Sequence, residues 1–137
     1  MAQSCIFCKI VRGEIPSAKV YEDEKVLAFL DINPVSEGHT LVVLKEHVDD
    51  IFEIEVDKFS RLAIALPKIA EAVKKSMQAD GMNILLNNRR CSGQLVPHIH
   101  FHLIPRFEGD ALCLKWPAGK YKEGEMERVL KKIKMCL

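Results

Sequence analysis

Three histidines alternate with apolar residues in one short segment, PHIHFHLIP, which spans residues 97–105. The chain of 137 residues holds only five histidines, so chance placement of three at every second position is improbable. Because successive side chains of a strand point to opposite faces, the spacing predicts that His98, His100 and His102 share one face. Neutral imidazole near pH 7 is both a nucleophile and a base. The segment therefore predicts a nucleophilic or acid–base centre. The alternative is that the three histidines are simply the solvent-exposed polar face of a half-buried strand.

A three-histidine metal site on this strand alone is disfavoured, since residues two apart on a strand lie about 6.5–7 Å apart. One central histidine with a neighbour on each side fits a nucleophile better. The polar sequence SGQ, residues 92–94, lies just upstream. Gly93 permits a tight backbone approach, and consecutive N–H groups there can bind an anionic oxygen. A nucleophile needs such a group to hold the developing charge, although a plain turn also explains SGQ.

A second reactive pattern, C-I-F-C, places Cys5 and Cys8 three residues apart. Such a pair is a redox couple or half of a metal site. A redox couple usually follows a strand and begins a longer helix, whereas this pair stands at the start of the sequence. Zinc held by two thiolates requires two further ligands, for which the triad histidines, His39 and His47 are candidates. Two free, buried cysteines in an apolar turn are the alternative.

Composition and charge indicate one ordinary globular domain. Hydrophobic residues make up 48% of the chain, charged residues 28%, and the formal net charge is +1. Bulk electrostatics therefore favour neither a nucleic-acid partner nor a membrane. No apolar run approaches the ~20 residues that span a bilayer, and the N-terminal MAQSCIFCK lacks the layout of a signal peptide. The odd number and irregular spacing of the cysteines argue against a disulfide framework, and we expect a cytoplasmic protein.

Hydrophobic periodicity predicts an α+β fold on an antiparallel sheet, because strands occur in neighbouring pairs with one main crossing helix. Helical segments are predicted at residues 5–11, 57–77 and 123–134. Strands are predicted at residues 19–24, 25–32, 39–45, 82–87 and 98–105. The first two strands form a predicted hairpin. Pro67 lies inside the long helix and predicts either a kink or a later helix start.

Together these motifs resemble the histidine triad superfamily. Residues 98–104, HIHFHLI, match its signature of three histidines that alternate with apolar residues. Residues 5–47, from CIFC to LKEH, are similar to the N-terminal half of its bacterial and archaeal branch, and residues 87–94, NNRRCSGQ, resemble its phosphate loop. The resemblance covers residues 5–107, or most of the chain. It implies the HIT-like fold, an antiparallel five-stranded sheet with one long helix, a short N-terminal helix and a C-terminal helical tail.

The resemblance implies a histidine triad (HIT) domain at residues 1–110 and a C-terminal extension at 111–137, whose helix packs on the same domain or on a dimer partner. A homodimer is expected because the family pairs its long helix and a sheet edge across a two-fold axis. Trp116 in the extension resembles a family residue that reaches the partner's active site. Anchoring of the tail on its own subunit is the alternative for Trp116.

The activity implied by the resemblance is hydrolysis or transfer at the α-phosphate of a purine nucleotide derivative, such as a phosphoramidate, a dinucleoside polyphosphate or an adenylate. His100 is then the nucleophile, and water releases a nucleoside 5′-monophosphate, AMP or GMP, from a covalent nucleotidyl-histidine intermediate. His102 is expected to hold the phosphate oxygens, with Gln94 and Gly93 on the same side. The backbone carbonyl of His98 is expected to fix the His100 tautomer.

The remaining substrate contacts are also implied by the resemblance. Asp31 corresponds to a carboxylate that accepts the ribose hydroxyls, and Asn87 reaches the phosphate or the leaving group. The purine slot is expected from Ile6, Phe7, Ile10, Phe29 and Ile32. Core packing is the alternative for each apolar residue. Leu95 stands where many relatives carry a hydroxyl residue, which bears on the choice of leaving group.

A structural zinc site is the last feature that the resemblance implies, with Cys5, Cys8, His47 and His98 as its ligands. His98 then serves the metal while His100 stays free for chemistry. Two alternative functions remain open at this point. One is a non-catalytic nucleotide-binding or scaffold protein of the same fold, and the other is a protein in which all the histidines bind zinc.

Overall fold

The computed structural model describes residues 4–113 and 117–137, and Trp116 therefore lies outside the described residues. The described part contains five strands in one sheet, β1 Lys19–Glu22, β2 Val26–Leu30, β3 Thr40–Leu44, β4 Gly81–Leu86 and β5 His100–Arg106. Its α-helices are α1 Ile6–Val11, α2 Val56–Met77 and α3 Glu125–Lys134. The strand order is β1-β2-β3-β5-β4, and every neighbouring pair is antiparallel. The predicted α+β class with a five-stranded antiparallel sheet is confirmed.

The two faces of the sheet are covered by different helices. Side chains of β2 and β3 alternate between the faces, and these central strands are buried on both sides. One face packs against α2 through Leu62, Ile69 and Val73, and the other packs against Phe7 and Cys8 of α1. Each fully buried aliphatic side chain contributes about 1.5–3 kcal/mol to stability, so packing on both faces stabilises the sheet.

The orientation of the histidines on β5 follows from the same alternation. Phe101 and Leu103 pack in the core on the α2 side. Since neighbouring side chains point to opposite faces, His100 and His102 lie on the α1 side of the sheet. Packing thus directs both imidazoles towards the short N-terminal helix.

Helix α2 excludes one of the two alternatives predicted for Pro67, a helix that starts after it. The helix begins at Val56 and continues through Pro67 to Met77, so a later helix start is wrong. The apolar stripe of α2 buries Leu62, Ala65, Ile69 and Val73, as the helical spacing of the sequence predicts. Pro67 lies off this stripe and is exposed.

The predicted fifth strand begins too early. The predicted strand covers residues 98–105, but β5 starts at His100, and His98 occupies a bend before it. Pro97 has no N–H for a ladder bond, and the N–H of His98 donates to the carbonyl of Val96 at 2.8 Å, which turns the chain. The N–H of Ile99 donates to the carbonyl of Val48 at 2.7 Å. The three histidines are therefore one bend residue and two strand residues.

Helix α3 makes few contacts with the rest of the chain. None of its ten residues, all of them described, is buried, and its apolar side chains Met126, Leu130 and Ile133 are exposed. The division between a domain at 1–110 and an extension at 111–137 stays a prediction. Over the two described ranges, the structure has no helix with the combined length and apolarity that crossing a bilayer requires.

Candidate functional site

A cavity of about 500 Å³ lies between α1, the residues after β2 and the histidine face of β5. All eight predicted substrate-binding residues line it, and His100 and His102 form part of the same wall. The predicted residues that line the cavity are Ile6, Phe7, Ile10, Phe29, Asp31, Ile32, Asn87, Gly93, His100 and His102. The predicted site residues that do not line it are Gln94, His98, Cys5, Cys8 and His47.

His100 is held in a single orientation and tautomer. Its Nδ1 lies 2.6 Å from the carbonyl oxygen of His98, and the ring of Phe7 packs against it edge-on with centroids 5.1 Å apart. Because a carbonyl only accepts hydrogen bonds, Nδ1 carries the proton and Nε2 keeps a lone pair. Burial lowers the pKa of His100, which keeps the ring neutral near pH 7. This is the state that a nitrogen nucleophile requires.

His102 contacts a histidine that the sequence analysis treated only as a candidate metal ligand. Its Nδ1 lies 2.9 Å from Nε2 of His39, and its ring centroid is 4.8 Å from that of His100. Burial, followed by the neighbouring imidazoles His100 and His39, lowers the pKa of His102 to about 4. Burial also lowers the pKa of His39. Both rings are therefore neutral near pH 7.

The link between His39 and His102 follows from strand register. Leu41 of β3 pairs with His102 of β5. His39 stands two residues before Leu41, so it lies on the same face of the sheet as His102. The contact between His39 and His102 can be predicted only if the two strands are paired in this register. The pattern along either strand alone does not indicate it.

Asp31 completes the polar end of the cavity. One carboxylate oxygen accepts the N–H of Asn33 at 2.9 Å, and the other lies 3.7 Å from Nδ1 of His39. The ligand atoms of Asp31, His39 and His102 lie within 4.8 Å of one another, so this group could also hold a cation.

The loop between β4 and β5 has the shape that the sequence predicts but a different use of its N–H groups. Gly93 adopts a φ of 95°, in the left-handed region that favours glycine. The N–H groups of Ser92, Gly93 and Gln94 all donate to carbonyls within the loop, to Arg89 or Arg90. The prediction that consecutive N–H groups here are available to an anionic oxygen is therefore wrong. Side chains on the cavity wall, His102 among them, are other candidates for anion stabilisation.

Gln94 is turned away from the cavity. Its side-chain oxygen accepts the N–H of Arg89 at 2.6 Å, and its amide nitrogen donates to the carbonyl of Asp49 at 2.6 Å. The side chain is buried, and its hydrogen bonds to the backbone use both ends of the amide. The expectation that Gln94 shares the phosphate side with Gly93 thus needs correction, because the structure does not bring its side chain to that wall. Gln94 instead ties the loop to the segment after β3.

The second group is a cluster of four metal-ligating side chains, Cys5, Cys8, His47 and His98. The two Nδ1 atoms lie 3.3 Å apart. Cys8 Sγ lies 3.3 Å from Nδ1 of His47 and 3.5 Å from that of His98, and Cys5 Sγ lies 3.5 Å from Nδ1 of His98. A tetrahedral zinc ion requires about 3.3–3.4 Å between two nitrogen ligands and about 3.5–3.6 Å between nitrogen and sulfur. The cluster therefore has the dimensions of a tetrahedral zinc site.

Hydrogen bonds hold both histidines of this cluster in the required orientation. Nε2 of His98 lies 2.8 Å from the carbonyl oxygen of Leu44, and Nε2 of His47 lies 2.9 Å from the Asp49 carboxylate. With Nε2 as the donor, each Nδ1 presents its lone pair to the centre of the cluster, as a metal ligand must.

Protonation favours metal binding at His98 and opposes it at Cys8. Burial lowers the pKa of His98 to about 4, so its ring is neutral. Burial, followed by the hydrogen bond with Cys5, raises the pKa of the Cys8 thiol to about 11. Metal binding near pH 7 thus displaces a thiol proton, and metal affinity falls as the pH falls.

The family is identified by the sequence that surrounds these groups. The family model of the HIT domain matches residues 12–109, which include both the cavity histidines and the loop before them. The chain belongs to the HIT domain family. A HIT-like protein of Methanocaldococcus jannaschii is 51% identical over 130 residues, which cover 95% of this chain and 98% of that protein. A Candida albicans protein named adenosine 5′-monophosphoramidase is 38% identical over 136 residues, which cover 96% of this chain and 90% of that protein.

Solved structures of HIT proteins share this architecture. A HIT family member from Bacillus subtilis matches with a TM-score of 0.91 at 44% identity, covering 98% of this chain and 97% of that one. A zinc-bound histidine triad family protein from Mycobacterium smegmatis matches with a TM-score of 0.78 at 35% identity, covering 100% of both chains. The HIT-like fold expected from the sequence is therefore confirmed.

The HIT motif of this chain is divided between two sites by the bend at His98. The side chain of His98 belongs to the metal-ligating cluster, while its carbonyl oxygen reaches back to His100. His100 and His102 belong to the cavity. One peptide unit thus connects the cluster with the candidate nucleophile.

Proposed function

We propose that this HIT protein hydrolyses, or transfers the nucleotidyl group from, a purine nucleotide derivative by cleavage at the α-phosphate, with release of a nucleoside 5′-monophosphate. One observation carries the proposal: His100 is neutral, has its Nε2 lone pair free, and stands on the wall of a cavity of about 500 Å³. Small-molecule sites are typically concave, mostly apolar and about 300–1,000 Å³ in volume. The Candida albicans relative named as a phosphoramidase supports the same reaction class.

The reaction proceeds in two displacements at phosphorus. Nε2 of His100 attacks, a P–N bond forms, and the bond from phosphorus to the leaving group breaks with its electron pair. Water then attacks the phosphorus, the P–N bond breaks, and the monophosphate departs. The ring becomes cationic when Nε2 is bonded to phosphorus, and the carbonyl of His98 stabilises this charge through the Nδ1–H bond of 2.6 Å. One difficult displacement is thereby replaced by two easier ones.

Recognition of the nucleotide is assigned to the two ends of the cavity. Ile6, Phe7, Ile10, Phe29 and Ile32 form its apolar end, which suits the face of any purine and discriminates weakly between adenine and guanine. At the polar end, Asp31 accepts the ribose hydroxyls and Asn87 contacts the phosphate or the leaving group. Leu95 lines the cavity and is almost fully exposed, and its aliphatic side chain offers no hydroxyl to the leaving group.

The metal-ligating cluster is proposed to bind a structural zinc ion. Its distances fit tetrahedral zinc, and a zinc-bound HIT protein has the same fold. The ligands come from α1, the segment after β3 and the bend before β5. A metal ion there would fix α1, which supplies part of the purine slot, against the sheet.

We propose that the protein is a homodimer in which the partner covers helix α3 of the C-terminal extension. The apolar side chains of Ile64 on α2 and Ile84 on the edge strand β4 are 72% and 46% exposed, and α3 also exposes its apolar face. A symmetric dimer would cover such surfaces. We expect light scattering to give the mass of two chains, and Ile84→Lys to shift the mass towards one chain. A monomeric wild-type protein at micromolar concentration would refute the dimer.

The experiment that tests the function is a substrate panel. Adenosine and guanosine 5′-phosphoramidates, dinucleoside polyphosphates, acyl-adenylates and adenylyl sulfate are compared by kcat/KM, with the product identified by chromatography. We expect a nucleoside 5′-monophosphate from at least one class, and similar values for adenosine and guanosine forms of it. Binding of AMP without turnover of any member would contradict the proposal and favour a non-catalytic nucleotide-binding protein.

A further inference from the structure

The hydrogen bonds around His39 assign the position of its proton. The backbone N–H of Val35 donates to Nδ1 of His39 at 3.3 Å. An N–H group can only donate, so Nδ1 is the unprotonated nitrogen and the single proton of the neutral ring is on Nε2. Nε2 in turn lies 2.9 Å from Nδ1 of His102.

The proton of His102 follows from that of His39. Since Nε2–H of His39 donates, Nδ1 of His102 accepts, and the proton of the neutral His102 ring is on Nε2. His100 has the opposite arrangement, because its Nδ1 donates to the His98 carbonyl. Two imidazoles on one face of β5, with ring centroids 4.8 Å apart, thus offer the cavity different groups, a lone pair from His100 and an N–H from His102.

We propose that His39 is a positioning residue, which holds His102 as an Nε2–H donor to a phosphate oxygen of the substrate. The inference rests on the proposed function, and it names one donor that can stabilise the charge developing on the phosphate, since the N–H groups of residues 92–94 donate within the loop. Preorganised donors aimed at developing charge are among the largest contributions to catalysis.

The segment that carries His39 is itself fixed. The N–H of His39 donates to the carbonyl of Ser36, and the hydroxyl of Ser36 donates to the carbonyl of Pro105 on β5, at 3.0 and 2.7 Å. Gly38 has a φ of 82°, and a Cβ there would lie 2.5 Å from the Met77 side chain. The loop is therefore anchored to the strand that carries His102.

The assignment does not depend on the charge of His39. Asp31 is the carboxylate nearest to its ring, with one oxygen 3.7 Å from Nδ1, which is too long for a hydrogen bond. If the ring were protonated, Nε2–H would still donate to His102. Burial lowers the pKa of both rings and keeps each with one proton near pH 7.

The test compares His39→Leu with His39→Gln. A glutamine amide nitrogen can take the place of Nε2 and donate to His102, whereas leucine cannot donate. Loss of an oxyanion donor costs about 10²–10³-fold in kcat, so we expect at least a tenfold loss in kcat for His39→Leu and recovery of most of it by His39→Gln. Equal kcat losses in the two variants would overturn the proposal.

A second readout is independent of turnover. The ¹⁵N chemical shifts of a protonated and an unprotonated imidazole nitrogen are widely separated, so ¹⁵N NMR of the wild-type protein reports the His102 tautomer. We expect a protonated Nε2 and an unprotonated Nδ1 in wild type and in His39→Gln, and mixed tautomers in His39→Leu. A wild-type His102 protonated at Nδ1 would refute the proposal even if the substrate panel succeeds. If the panel fails, the NMR result still decides the tautomer, so the two failures are distinguishable.

Discussion

Replacement of His100 by alanine is expected to abolish turnover while AMP still binds. The substitution removes the only group assigned to form a bond with phosphorus, so the covalent route is lost. We expect kcat to fall by more than about 100-fold, because covalent catalysis contributes at least ~3 kcal/mol to lowering the barrier. The apolar end of the cavity and Asp31 are unchanged, so the affinity for AMP should change little.

The control for this variant is His102→Ala, which removes a second imidazole from the same face of β5 but leaves the nucleophile in place. With a slow substrate and a base quench, mass spectrometry should detect a nucleotidyl adduct on wild-type protein and on His102→Ala, and none on His100→Ala. An adduct on His100→Ala, or kcat above a hundredth of the wild-type value, would mean that another group is the nucleophile.

Loss of a thiolate ligand is expected to have the largest effect on stability. Cys5→Ser and Cys8→Ser each leave an incomplete tetrahedron, and a structural site contributes its binding free energy to folding. We expect purified wild-type protein to carry about one zinc ion per chain and each variant to lose it. The melting temperature should fall by roughly 10 °C, which corresponds to about 3 kcal/mol in a domain of this size. Metal content is measured by plasma mass spectrometry and melting by calorimetry.

Cys136→Ser is the matched control, since it is the same substitution at an exposed cysteine. It should leave zinc content and melting temperature unchanged. Zinc-free wild-type protein, or unchanged melting of the Cys5 and Cys8 variants, would exclude a structural zinc site. Two zinc ions per chain would indicate that Asp31, His39 and His102 also bind metal. That result would favour the alternative in which the histidines bind zinc and none acts in catalysis.

The sequence by itself determined the elements and most of the residues around the cavity. Alternation with period two and apolar spacing with period 3.6 are properties of consecutive residues, and they placed the strands and α2 within a few positions of their observed ends. Motif resemblance supplied the apolar residues that line the cavity and the four members of the metal-ligating cluster. The members of each set lie together in the structure because each is in or beside an element whose buried face the local pattern already specifies.

Only the tertiary structure decided the orientation of the polar groups. Gln94 meets a carbonyl 45 residues away, and His39 meets a histidine 63 residues away. The bend at His98 arises because Pro97 lacks a ladder donor and Val96 accepts the next N–H, so one histidine of the alternating row leaves the strand. Such hydrogen bonds depend on strand register and loop closure, which bring distant residues together. A pattern along the chain specifies which face a side chain occupies, but its partner on that face is set by the neighbouring strand.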